Sequence, residues 1–83
     1  MHKTTTRFWN CFERLPTYIQ KQAKENFKLL KDNPKHPSLH FKNVGKFWSA
    51  RASLDYRALA FKDEGDFIWV WIGTHDEYKR MIK

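Results

Sequence analysis

The stretch Trp48-Ser-Ala-Arg-Ala-Ser-Leu-Asp-Tyr-Arg-Ala-Leu-Ala-Phe61, followed after a polar break by Phe67-Ile-Trp-Val-Trp-Ile-Gly-Thr-His-Asp-Glu-Tyr-Lys-Arg80, decides the fold. Over residues 47–53, Trp48, Ala50 and Ala52 alternate with Phe47, Ser49, Arg51 and Ser53. Over residues 56–62, Tyr56, Ala58 and Ala60 alternate with Arg57, Leu59 and Phe61. A period of two marks strands with two distinct faces. Residues 67–72 are apolar at every position, as in a strand covered on both sides. Three consecutive strands are therefore expected at about 47–53, 56–62 and 67–73. Asp63-Glu64-Gly65-Asp66 supplies the second turn, with Gly65 free to take positive φ. Gly73-Thr74 ends the third strand, and Thr74 suits the N-cap of a short helix or tail over 76–83.

The first turn controls the chemistry. A three-residue turn, Ser53-Leu54-Asp55, sets residue 51 opposite 57, and two guanidiniums then project side by side from one face. A two-residue loop, Leu54-Asp55, sends Arg51 and Arg57 to opposite faces, because a one-residue slip inverts every side chain. Both registers fit the sequence. Like charges side by side repel, so the first makes sense with an anion between them.

Upstream, the spacing turns helical. Phe8, Cys11, Phe12 and Leu15 fall at i, i+3, i+4 and i+7, which predicts a helix over about 7–14. Cys11 lies on its apolar face and reads as a core residue. Pro16 suits the first turn of a second helix over about 16–33, whose stripe is Ile19, Ala23, Phe27 and Leu30. Asn33-Pro34 ends it, because the residue before proline is pushed out of the helical region. The expected class is α+β: a small antiparallel β-sheet packed on an N-terminal αα-hairpin, in one domain spanning 1–83. Residues 3–6, Lys-Thr-Thr-Thr, read equally as a short first strand or a frayed terminus. Residues 34–46 read as a long basic connection holding His36, His40, Lys35, Lys42 and Lys46.

Composition narrows the partners. Sixteen Lys and Arg against nine Asp and Glu give a net charge of +7, which favours an anionic partner. Four Trp, three Tyr and seven Phe let a small core bury a large area. One cysteine forms no disulfide framework and offers too little sulfur for a metal site, so neither metal nor cofactor is expected. The longest apolar run, Phe67–Ile72, is far short of the ~20 residues of a membrane helix. The N-terminus carries no apolar signal segment, and a cytoplasmic protein is expected.

The order strand, helix hairpin and meander, with Trp-Ser-x-Arg-x-x-x-x-Tyr-Arg-x-Leu-x-Phe, resembles the RelE/ParE superfamily of toxins from type II toxin–antitoxin systems. Asn-Pro-x-His-Pro-Ser-Leu-x-Phe-Lys-x-Val and Trp-Ile-Gly-Thr-His-x-Glu-Tyr resemble its RelE-like branch. The match covers nearly the whole chain. It implies ribosome-dependent, metal-independent cleavage of mRNA by attack of a ribose 2′-OH, and a cognate antitoxin as partner. Carried over residue by residue, Arg57 matches the arginine at the scissile phosphate and His75 an acid/base histidine. Tyr78 matches a C-terminal tyrosine that stacks on a base or donates a proton. Arg51 matches a less constant basic strand position, and Lys35, Lys42, Lys46 and Lys79 are expected to contact RNA. Some relatives carry a glutamate base in the loop before the Trp-Ser strand. Residues 36–46 hold no acid, which leaves His40 as the base candidate there. The competing expectations are a ParE-like inhibitor of DNA gyrase and an inactive RNA- or antitoxin-binding orphan. His75 and Tyr78 speak against the gyrase branch, which generally lacks that pair.

Overall fold

The computed structural model describes residues 1–82. Strand β1 (His2–Thr4) leads into helices α1 (Thr6–Glu13) and α2 (Thr17–Asp32). A single 3-10 turn (Pro37–Leu39) then precedes β2 (Lys42–Val44), β3 (Phe47–Ser53), β4 (Tyr56–Asp63), β5 (Asp66–Thr74) and α3 (His75–Met81). The five strands form one sheet in the order β1-β5-β4-β3-β2. The meander and helix pair expected from periodicity are present, and the sheet is wider than the expected three strands. β2 emerges from the basic connection and pairs with β3. Of the two readings of residues 3–6, strand or frayed terminus, a strand is present, as β1 over His2–Thr4; it runs parallel to β5, so the sheet is mixed rather than wholly antiparallel. Parallel pairing is possible here because α1 and α2 lie between β1 and the meander in sequence and supply the long crossover.

Each helix starts and stops for a local reason. Thr5 caps α1, its hydroxyl accepting from Phe8 N–H at 3.1 Å while donating to the Trp69 carbonyl at 2.9 Å. One side chain thus ends β1 and ties α1 to β5. Pro16 stands at the N-cap of α2, and Asn33 closes it. In α2, Ile19, Ala23 and Leu30 are buried and Phe27 packs against them, so the predicted stripe faces the core. The sheet face beneath the helices is lined by Ala50, Ala52, Ala58 and Ala60. These small side chains let the helices approach closely, and Phe8, Phe12 and Trp69 fill the space between. Truncating the fully buried Trp69 would remove contacts worth about 3–5 kcal/mol. The other face carries a second cluster of Leu59, Trp71 and Tyr78 under α3. β5 is covered on both sides, by α1 and by α3, which explains its unbroken apolar run.

At the β4–β5 turn, Asp63 pairs with Asp66 and the two loop residues, Glu64 and Gly65, both have positive φ. Two left-handed residues match the twist of the flanking strands.

His2 contributes more than its sequence position suggested. Its ring stacks on Phe67 and Trp69, and its Nδ1 accepts a hydrogen bond from Trp69 Nε1 at 3.0 Å. Only an unprotonated Nδ1 can accept. Burial, the N-terminal ammonium and Lys31 pull the His2 pKa below its ordinary 6.5. The folded state therefore prefers neutral His2 more than the unfolded chain does. The stability it contributes is present above pH 6.5 and is lost as pH falls below that toward the lowered folded value. Asp66, lowered by Lys3 and the N-terminus, acts in a separate and more acid window, below 3.8. Melting temperature should drop on acidification below pH 6.5, and His2→Phe should flatten that slope. Parallel wild-type and variant profiles would remove His2 as the cause.

Candidate active site

The site is built on the β3–β4 turn. Ser53 pairs with Tyr56 across the two-residue loop Leu54-Asp55, yet Arg51 pairs with Arg57. A bulge reconciles the two: Ala52 has no partner and absorbs the extra residue. The loop is thus the short one, and the arginines still stand opposite each other, in the register of the longer turn. Asn26 of α2 holds the bulge by donating to the Ala52 carbonyl at 2.8 Å.

Arg57 is held by one nitrogen. Its Nη1 donates to the carbonyls of Tyr56 at 3.0 Å, Ser53 at 3.3 Å and Leu54 at 3.4 Å. Nη2 and Nε make no hydrogen bond among the described residues and keep their donors for a ligand. Burial and the nearby Arg51 charge pull its pKa below the ordinary value, while Tyr78 and Asp55 oppose the shift. The group remains a cation at neutral pH. Two positive groups brought together without a carboxylate bridge form a site that an anion would relax.

His75 reaches the same turn through the backbone, its N–H donating to the Asp55 carbonyl at 2.7 Å. It opens α3 just after Thr74, which forms a capping box with Glu77. Thr74 Oγ1 accepts from Glu77 N–H at 3.2 Å, and Glu77 Oε1 accepts from Thr74 N–H at 3.1 Å. The cap fixes where α3 begins and hence where the imidazole stands. Arg57 and His75 are therefore placed by two ends of one turn. Opposite Arg57 in β5 lies Gly73, and an added Cβ there would collide with the Trp71 ring. Glycine lets Trp71 and α3 close over the sheet beside the site.

Tyr78 was expected either to stack on a base or to donate a proton. It is buried against Leu59 and Trp71, 6% exposed, so the ring is a packing element. Its ring centroid lies 5.7 Å from that of His75, and its phenol is within electrostatic reach of Arg57. A proton-transfer role for the hydroxyl stays compatible with this placement; stacking on a base does not.

Arg51 is half-buried, and its Nε is buried with no partner among the described residues. Leaving such a donor unpaired costs about 1–3 kcal/mol. Beside it lies a depression of about 370 Å³ lined by Gln22, Glu25, Asn26, Ser38, Arg51, Ser53 and Leu54. No local pattern announces it, because three separate segments build it and Glu25 sits among the lysines of a solvated helix face.

The remaining candidates are more dispersed. Lys42 pairs with Ser49, which puts it on the same sheet face as Arg51. Lys46 sits at the far end of β3, in the β2–β3 turn, with its ammonium 5.9 Å from the Phe47 ring centre. Lys35 follows α2, and Lys79 is exposed on α3. His40 is exposed and left-handed, at φ 47°, where the 3-10 turn ends. No hydrogen bond or ion pair among the described residues joins His40 or any of these lysines to Arg57 or His75. No cluster of three or more His, Cys, Asp or Glu suited to a metal exists among the described residues.

No family model matches this chain, and no curated protein matches it in sequence. Solved structures do. The RelB–RelE antitoxin–toxin complex from Methanococcus jannaschii aligns over 98% of this chain and 99% of that one, with a TM-score of 0.74 and 12% identity. The toxin–antitoxin complex RelBE2 from Mycobacterium tuberculosis aligns over 89% and 95%, with a TM-score of 0.67 and 20% identity. A YoeB/ParE toxin from Agrobacterium tumefaciens aligns over 89% and 96%, with a TM-score of 0.66 and 14% identity. The architecture is a small α+β fold with α1 and α2 on one face of the sheet and α3 on the other. This chain has the RelE-like toxin fold.

Proposed function

We propose that the protein is the toxin of a toxin–antitoxin pair and acts as a ribosome-dependent mRNA endoribonuclease. The observation that carries this reading is Arg57, fastened to the turn carbonyls by Nη1 alone and opposite Arg51, with the His75 backbone bonded to the same turn. Attack of a ribose 2′-OH on the adjoining phosphate builds negative charge on a phosphorane. Arg57 meets that charge through Nη2 and Nε, donors already oriented before substrate arrives. His75 moves a proton, taking one from the 2′-OH or giving one to the departing 5′-oxygen. Tyr78 steadies the imidazole, and its hydroxyl is a second proton carrier. His40 enters only if the substrate draws its loop inward, since no contact ties it to Arg57. The reaction so written needs no metal.

The complexes among the structural neighbours support an antitoxin partner. Such a partner would neutralise the basic face and cover Arg57 and His75. Ribosomes and mRNA as targets place the work in the cytoplasm. No described helix is long and apolar enough to cross a membrane.

Binding to ribosomes or single-stranded RNA should weaken steeply with salt, because Lys35, Lys42, Lys46 and Lys79 release counterions from phosphates. Several such contacts lower affinity by orders of magnitude between ~50 and ~200 mM salt. A salt-indifferent binding constant would point to a partner other than nucleic acid. Primer extension on mRNAs of an expressing host tests the reading itself. Cuts that appear with the wild type and vanish with Arg57→Ala are expected. Growth arrest without cuts, unchanged by Arg57→Ala, would favour gyrase inhibition.

A further inference from the structure

Two amides of α2 grip consecutive residues at the β3 bulge. Asn26 donates through Nδ2 to the Ala52 carbonyl at 2.8 Å, and Gln22 Oε1 accepts from the Ser53 hydroxyl. Residues 22 and 26 stand about one turn apart on α2, so both side chains leave the same side of the helix. Ala52 is the residue left without a partner in β4, and Ser53 is the next to pair. Ala52 and Ser53 are only 6% and 8% exposed, so water does not freely replace a lost partner there.

The same two residues govern Arg57. Its Nη1 donates to the Ser53 carbonyl at 3.3 Å, and the bulge at Ala52 sets Arg51 opposite it. Without the bulge, the Ser53–Tyr56 pair would place Ala52 opposite Arg57 and Arg51 opposite Ala58. Arg51 would then point to the helix side of the sheet, and the pair of cations would be gone. Ala52 and Ala58 belong to the core under α1 and α2, whereas Leu59, on the Arg57 side, packs under α3. The grip therefore reaches through the strand: amides on one face of the sheet set the guanidiniums on the other.

We propose that Gln22 and Asn26 are positioning residues for the cleavage site, holding the β3 bulge from α2 and so keeping Arg51 opposite Arg57 and the Arg57 guanidinium in its working orientation. The inference rests on the ribonuclease reading for its effect on cleavage, and its geometric part stands without it.

The two amides make opposite demands, which one kind of substitution separates. Asn26 must donate, so Asn26→Asp keeps the shape, removes the donor at neutral pH and sets a carboxylate against a carbonyl. Gln22 must accept, so Gln22→Glu keeps the bond to Ser53, while Gln22→Leu loses it. Asn26→Asp and Gln22→Glu change the net charge equally, about one turn apart on the same helix. Ribosome-dependent mRNA cleavage by Asn26→Asp should fall about 10²-fold, the cost of a group displaced by about 1 Å. The loss should lie in kcat, with KM nearly unchanged, because neither amide is placed to bind RNA. Gln22→Leu should lose activity, and Gln22→Glu should restore most of it.

A second measurement needs no cleavage. In NMR of the arginine side-chain nitrogens, three carbonyls on Nη1 should slow guanidinium rotation and separate the two Nη signals of Arg57. That separation should persist in Gln22→Glu and collapse in Asn26→Asp. Circular dichroism confirms folding of each variant, and Asn26→Ala, with the same expectation, takes the place of an Asn26→Asp chain that does not fold. Wild-type cleavage and undisturbed Arg57 signals in the Asn26 variant overturn the proposal. Equal losses in Asn26→Asp and Gln22→Glu overturn it too, since they would reflect added charge alone. Failure of the ribonuclease reading looks different: no mRNA cuts by the wild type, with Arg57 signals that still respond to Asn26→Asp and not to Gln22→Glu.

Discussion

Arg57→Ala is expected to abolish growth arrest and mRNA cleavage while leaving the protein folded. A single aimed donor to a developing oxyanion is worth ~10²–10³-fold, and Arg57 brings a full charge as well. Its Nη1 also stitches three carbonyls of the β3–β4 turn, so some loosening of that turn accompanies the substitution. Arg57→Lys separates the two effects. A lysine keeps the charge but cannot hold the turn with one nitrogen while presenting two others to phosphate. Activity near wild type in Arg57→Lys would mean that charge alone suffices. Full activity in Arg57→Ala, with circular dichroism unchanged, would remove Arg57 from the mechanism.

His75→Gln is expected to reduce cleavage by ~10²–10⁴-fold, the usual contribution of one acid/base group. Glutamine fills similar space and leaves the backbone bond to Asp55 in place, so α3 should remain docked. RNA affinity should change little, because the arginines and lysines carry the phosphate binding. A cleavage rate lowered only through weaker binding would recast His75 as a contact residue. If His75→Gln retains wild-type cleavage, His40 becomes the next candidate, and His40→Ala in the same assay decides between a mobile loop base and charge-only catalysis. Such a loop movement is needed because His40 is exposed and shares no contact with Arg57.

The helix pair and the meander were legible because burial writes a period into the sequence. Ile19, Ala23 and Leu30 must repeat with the helical turn to reach one core, and Ala58 and Ala60 must alternate with Arg57 and Leu59. β2 was hidden: Lys42-Asn43-Val44 is exposed and short, and its pairing with β3 is a contact the local pattern does not encode. The parallel placement of β1 was hidden for the same reason, since its partner lies more than sixty residues away.

Arg57 and His75 were singled out as candidates before any coordinates by the resemblance to RelE-like sequences, and chemistry explains why such side chains suit phosphate and proton transfer. Their arrangement could not be read in the same way. Whether Arg51 faces Arg57 turns on one bulged residue, Ala52, which Asn26 holds from a helix twenty-six residues away. Nothing in Ala-Ser-Leu-Asp announces a bulge, and a one-residue slip would have sent the arginine to the other face. Tyr78 makes the same point with its ring. The sequence allowed a free stacking platform, and packing against Leu59 and Trp71 used the ring for the core. Sequence by itself determined the helix pair, the three-strand meander and the basic charge, because these follow from local periodicity and composition. Only the tertiary structure decided register, burial and which unspent donors share a space, because those are set by contacts between segments far apart in the chain.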